Sequence, residues 1–139
     1  MILAVVASSI LCVLGAVHLY WAAGGTIGKG AAVPSLNGEP ALSPGVLGTV
    51  MVGVGLFAAA ALVMVTAIGS AARVLEMPLR VGTGLIGLVF AARAIGDFRY
   101  VGFFKRVRDS EFARRDTYVY SPLCLLLAVL IATAAIVKA

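Results

Sequence analysis

The chain has 139 residues, 62% of them hydrophobic and only 12% charged, with a formal net charge of +5 at neutral pH and a mean hydropathy of +1.09. A soluble domain is about a quarter charged and half apolar, so this composition excludes one and identifies an integral membrane protein. Two cysteines without a CxxC, and a single histidine, also exclude a structural zinc site.

Crossing about 30 Å of hydrocarbon takes roughly 20 apolar residues in a helix, which satisfies its own backbone hydrogen bonds. Four segments approach that length. They predict an all-α fold, an integral membrane four-helix bundle forming one domain over 1–139, with spans near 2–23, 45–70, 79–100 and 120–138. The first segment carries no charged side chain and no positive region ahead of MILAVVASS, so it reads as a retained span rather than a secretory signal. Loop one, 26–44, shows no recognisable pattern, and the second span falls within the uncharged stretch 41–72.

The third span is the weak one. Only twelve uncharged residues separate Arg80 from Arg93, about 18 Å of helix. Arg80 can snorkel, whereas Arg93 sits at or inside the opposite boundary, where an unpaired guanidinium is costly and a partner or water-filled cavity is expected. The fourth span is expected to start at Ser121 as N-cap, with Pro122 in the first turn, where its missing N–H breaks no bond. Cys12 and Cys124 fall within spans and are expected to be buried thiols.

Loops one and three carry Lys29, Arg99, Lys105, Arg106, Arg108, Arg114 and Arg115, against Arg73 and Arg80 around loop two. The positive-inside rule then puts loops one and three in the cytoplasm of a bacterial inner membrane and both termini outside. Chain parity alone brings the end of the first span, the end of the third and the start of the fourth to one membrane face.

Residues 93–120 hold seven of the eleven Lys and Arg, four of the six acids and seven of the eleven aromatics. Arg93, Asp97, Tyr100 and Phe104 recur at helical spacing and share a face if the third helix continues past the boundary. The candidate catalytic groups are Asp97, Asp116 and His18; Tyr20, Trp21, Arg93, Phe98, Arg99, Tyr100, Tyr118 and Tyr120 are candidates for substrate binding. Plainer readings stand beside these. His18 with Tyr20 and Trp21 also looks like an interfacial aromatic belt. Arg93 and Asp97 at i, i+4 suit a structural ion pair, and the run from Lys105 to Arg108 suits a topology and headgroup signal. Glycines 48, 53, 55, 82, 84 and 87 suit close helix packing, and the glycine-rich second and third spans offer a route to a homo-oligomer.

The segments GAVHLYWAAGG, ARAIGDFRYVGFFKRV and FARRDTYVYSPLCLLLA resemble a family of small bacterial four-span membrane proteins of unknown function. The chain is also similar in size, span number and hydrophobicity to the small membrane-bound terpene cyclases of bacterial indole-sesquiterpenoid pathways. That second resemblance implies a membrane-embedded enzyme acting on a prenyl or terpenoid substrate by acid-initiated, carbocation-type cyclisation. Such chemistry needs a carboxylic acid held neutral by burial, and aromatic faces to stabilise developing positive charge. The arginines flanking Asp97 and preceding Asp116 oppose it, because nearby cations favour the ionised carboxylate. Guanidinium forks could instead hold a diphosphate, but the paired Asp-rich motif that would carry magnesium is missing, and no cofactor or metal is expected. The competing class is non-enzymatic: a lipid or small-molecule binding or transport protein, or a structural membrane subunit. Expected partners are a lipophilic small molecule and membrane lipids, not nucleic acid.

Overall fold

Hydrocarbon-compatible sequence folds here as continuous helix. The computed structural model describes residues 1–33, 35–36, 39–40, 45–69 and 73–137. Helix α1 (Ile2–Ala22) is followed in loop one by a single turn, α2 (Lys29–Ala32), and a two-residue antiparallel pairing of β1 (Ser35–Leu36) with β2 (Glu39–Pro40). Then come α3 (Val46–Ile68) and α4 (Arg73–Ile95). The last helical unit is composite: α5 (Glu111–Arg115), a π-helical turn at Asp116–Tyr120, and α6 (Ser121–Ile136). The fold is an all-α four-helix bundle, and all four long units are apolar enough to cross a membrane.

Two boundaries differ from the sequence expectation. The third helix is not short: it begins at Arg73 and runs through Pro78, so its 23 residues extend about 34 Å. It also stops at Ile95 rather than continuing to 100. Arg80 therefore lies inside the helix, where its Nη1 donates to the Ile136 carbonyl at the end of α6, 3.5 Å away. The fourth unit starts well before Ser121, at Glu111, with the Ser110 hydroxyl accepting the Ala113 N–H at 3.0 Å as the true N-cap. The expected span ends at 70 and 138 lie outside the described residues.

Helices α1 and α3 pack along their lengths, as do α4 and α6. The core where they meet is built from small and branched side chains: Ala4, Ala7 and Leu11 from α1, Ala60 and Val63 from α3, Leu127 and Ile131 from α6. Small residues let backbones approach, which is how helices gain contact where lipid removes the hydrophobic drive between them. Gly53 faces Leu19 and the Gly15 carbonyl, and Gly87 faces the backbone of Ala128 and Ala132, as close packing requires. A Cβ at Gly48, Gly55 or Gly84 would meet no atom of the described residues within 4 Å, so close approach does not require glycine there among the described residues. Two polar links add to the packing: Ser8 Oγ donates to the Ala60 carbonyl at 3.0 Å, and the hydroxyls of Thr66 and Thr83 meet at 2.8 Å. Apolar side chains such as Ile2, Val13, Leu47, Met51 and Leu88 point outward, as a lipid-facing surface demands. Cys12 joins that outer face, contrary to the buried thiol expected of it, while Cys124 is half-buried.

Candidate functional site

The segment between α4 and α5 is not a helical extension but a tightly folded loop. Gly96 (φ 96°) ends α4 and Gly102 (φ 89°) turns the chain again. Both are left-handed positions, and a Cβ at either would collide with the backbone of the other's neighbourhood, so only glycine fits. The loop then doubles back onto the helix end, with Phe103 N–H donating to the Ala94 carbonyl at 2.9 Å. Asp97 organises the turn. One of its carboxylate oxygens accepts the N–H groups of Arg99, Tyr100 and Val101 at 2.9, 2.7 and 2.9 Å. Slight burial pushes the Asp97 carboxyl up, but the N–H groups of Val101, Arg99 and Tyr100 outweigh it and hold the group below its ordinary value. The shared helical face expected for Arg93, Asp97, Tyr100 and Phe104 therefore does not form, and neither does the Arg93–Asp97 ion pair.

Arg93 pairs instead with Asp116, through Nη2 to Oδ1 at 2.9 Å. The other carboxylate oxygen of Asp116 accepts Gly102 N–H at 2.7 Å, Lys105 Nζ at 3.0 Å and Ser121 Oγ at 3.2 Å. Lys105 also donates to the Gly102 carbonyl at 3.0 Å and to Thr117 Oγ1 at 2.6 Å, which occupies all three of its N–H groups. The side chains of Lys105 and Asp116 are 1% and 0% exposed. The π-helical turn makes this arrangement possible. Pro122 has no N–H to return to the preceding turn, and the register widens so that Ser121 N–H bonds the Asp116 carbonyl five residues back. That spacing stacks the Ser121 hydroxyl under the Asp116 carboxylate, and single π-turns of this kind often mark functional sites.

Two cations and one carboxylate leave this cluster with one net positive charge. Its unbalanced member is Arg93, whose Nη1 is buried without a hydrogen-bond partner among the described residues.

Arg93 also lines a cleft of about 400 Å³ between the helices. Leu14, Val17, His18 and Trp21 of α1 form one wall, Val52 and Leu56 of α3 another, with Phe90 of α4, Phe112, Tyr120 and Leu123 opposite. A smaller recess of about 180 Å³ shares His18, Trp21 and Val52 and reaches Lys29 and Thr49. His18 is held by its Nδ1, 2.8 Å from the Leu14 carbonyl, and stacks obliquely on Trp21 with ring centroids 5.3 Å apart. A carbonyl only accepts, so Nδ1 carries the proton of that bond and Nε2 is the other ring nitrogen, open to a further partner. Trp21 Nε1 donates to the Ile27 carbonyl at 2.8 Å, which fixes its ring at the mouth. Phe112 and Tyr120 pack at 6.1 Å on the far side.

Of the residues singled out from the sequence, His18, Trp21, Arg93 and Tyr120 meet at the cleft and Asp116 sits behind Arg93. The others lie apart. Asp97 and Phe98 belong to the loop outside, as do Arg99 and Tyr100, whose guanidinium and ring pair at 5.0 Å. Tyr20 covers the turn at Gly25, and Tyr118 points outward, 77% exposed. Lys105 went unrecognised as a site residue. It reads as one of a basic run whose other members, Arg106 and Arg108, are exposed, and no local pattern separates it from them. Gly102 and Thr117 were equally silent, while Ser121 carried a capping signal for the wrong role.

The model of a family described as protein of unknown function (DUF3995) matches residues 11–131. The chain belongs to the DUF3995 family. No curated protein and no solved structure matches it. The DUF3995 match includes all three segments that build the site: 15–25 supplies His18 and Trp21, 92–107 supplies Arg93, Gly102 and Lys105, and 112–128 supplies Asp116 and Ser121.

Proposed function

We propose that this membrane protein binds a lipophilic small molecule in the cleft between its helices, with Arg93 as the polar contact. One observation carries the reading: an apolar cleft of about 400 Å³ has a single guanidinium in its wall, anchored from behind by a buried ion cluster. Its size falls within the roughly 300–1,000 Å³ of small-molecule sites, and a mostly apolar wall with few fixed polar groups is their usual make-up. With loops one and three cytoplasmic, the cleft would open toward the cytoplasmic half of the inner membrane.

A second reading, acid-initiated cyclisation of a terpenoid, is favoured by the aromatic lining of Trp21, Phe90, Phe112 and Tyr120, which suits a developing cation. Its weak point is the acid. Asp116 receives four donors on two oxygens, which is the bonding of an acceptor-only carboxylate, and Asp97 caps a loop outside the cleft. Of the three candidate proton donors, His18 is the one that lines the cleft. Binding is therefore the better supported activity.

The test is mass spectrometry of lipophilic compounds extracted from purified wild-type protein and from Val52→Trp, which fills the place where the two recesses join. A compound retained by the wild type and lost from the variant is expected; identical extracts from both would sink the reading. A retained compound converted to an isomer of unchanged mass by the wild type, but not by His18→Ala, would move the assignment to cyclisation.

A further inference from the structure

The buried cluster of Arg93, Asp116 and Lys105 carries one positive charge too many. Resting on the cleft reading above, we propose that the occupant is a single-chain amphiphile with a singly charged oxyanion head, seated against Arg93. Charge balance is the first ground. Asp116 Oδ1 holds Arg93 Nη2, and Oδ2 holds Gly102, Lys105 and Ser121, and neither oxygen is bonded to the other end of the guanidinium, Nη1. Nη1 is a buried donor on a cation with no partner among the described residues, an arrangement that is costly until an acceptor arrives.

The surroundings select the sign and the body of the ligand. Among the described residues lining the cleft and its adjoining recess, the side chains charged at neutral pH are Arg93 and Lys29, and no carboxylate joins them. A cationic head would meet repulsion there, and a neutral one would leave the excess charge in place. The remaining wall is aliphatic and aromatic, which excludes a small free anion as the preferred occupant and calls for a hydrocarbon chain. Arg93 lines the cleft with a side chain that is one-third exposed as a whole while Nη1 itself is buried, so an oxyanion meets the guanidinium at its exposed atoms and takes Nη1 by a small turn of the side chain, with Asp116 holding the other edge. A fork fixed on one side by Asp116 and unpartnered at Nη1 on the other suits the two oxygens of a carboxylate or a phosphodiester.

The chain contains one tryptophan, Trp21, and it lines the cleft, so its fluorescence reports occupancy directly. Detergent-solubilised full-length protein is titrated at mildly alkaline pH with dibromostearate, with the matching dibromo alcohol, and with dibromostearate in the presence of acetate or inorganic phosphate. Bromine quenches on contact. Saturable quenching by the carboxylate is expected, with the alcohol weaker by about tenfold or more, the value of one charge-assisted hydrogen bond. Arg93→Gln should bring the carboxylate down to about the affinity of the alcohol, and saturable binding of the alcohol to the variant shows that it is folded. Equal saturable binding of carboxylate and alcohol by the wild type would overturn the oxyanion head and leave the cleft reading standing. Absence of saturable quenching by either would overturn both. Displacement of the chain by millimolar acetate or phosphate would also refute the proposal, because the site would then be a free-anion site.

Discussion

Replacing Asp116 with Asn should be among the most damaging single changes available in this protein. The carboxylate is fully buried and receives Arg93, Lys105, Gly102 and Ser121. An amide of the same shape offers one acceptor oxygen, and its NH₂ would face either Arg93 or the Gly102 and Lys105 donors. Both cations lose their counter-charge, and Lys105, 1% exposed, has no route to water. Removing one partner of a buried pair costs about 3–5 kcal/mol. Lys105→Met should cost less, about 2–3 kcal/mol, because it removes the Lys105–Asp116 ion pair but leaves Asp116 with Arg93 as counter-charge and with Gly102 and Ser121 as donors. Their combination should cost less than the sum by about 1 kcal/mol or more, since the methionine removes the buried charge that Asn strands. The measurement is SDS-driven unfolding of detergent-solubilised protein followed by Trp21 emission. A cost for Asp116→Asn below about 1 kcal/mol, or strict additivity of the pair, would refute the buried cluster as the organising feature of this end of the bundle.

Two further predictions concern the scaffold. The Asp97 carboxyl is held below its ordinary value by backbone N–H groups, burial opposing them. Its contribution is therefore present above the unfolded carboxylate value of about 3.9 and lost as pH falls through the lower folded value. Thermal unfolding of wild type and Asp97→Asn should converge as the buffer is made acidic, and a gap that stays constant with pH would contradict this role. Gly53→Ala sets a Cβ 2.9 Å from Leu19 Cδ2 and 3.2 Å from the Gly15 carbonyl oxygen, an overpacking expected to destabilise by about 1–3 kcal/mol. Gly55→Ala meets no atom within 4 Å and gains helix propensity, so it should be neutral or stabilising by up to about 1 kcal/mol. Equal effects in the same unfolding assay would show that α1 and α3 do not pack as described.

The need for a partner at Arg93 was legible, but the partner was not. Sequence offered Asp97 at helical spacing, four residues away; the structure supplies Asp116, twenty-three residues away. The difference lies in Gly96, whose positive φ ends α4 before Asp97 can join its face, and in a loop whose hydrogen bonds close on themselves. The third span looked short because a proline and two charges near its start, Glu76, Pro78 and Arg80, masked helix that continues back to Arg73. Local sequence could not distinguish a helix start at Ser121 from a widened turn within a helix already begun at Glu111, since Ser before Pro suits both.

Membrane class, the number of helices and their common end at the site follow from the sequence alone, because a chain in hydrocarbon must close its backbone hydrogen bonds within each apolar segment. The convergence of His18, Trp21, Arg93 and Tyr120 on one cleft, and the enclosure of Lys105 and Asp116 behind it, were decided only by tertiary structure. Those contacts join residues distant in the chain through two left-handed glycines and a π-helical turn, and it is their geometry, not composition or periodicity, that determines which charges meet.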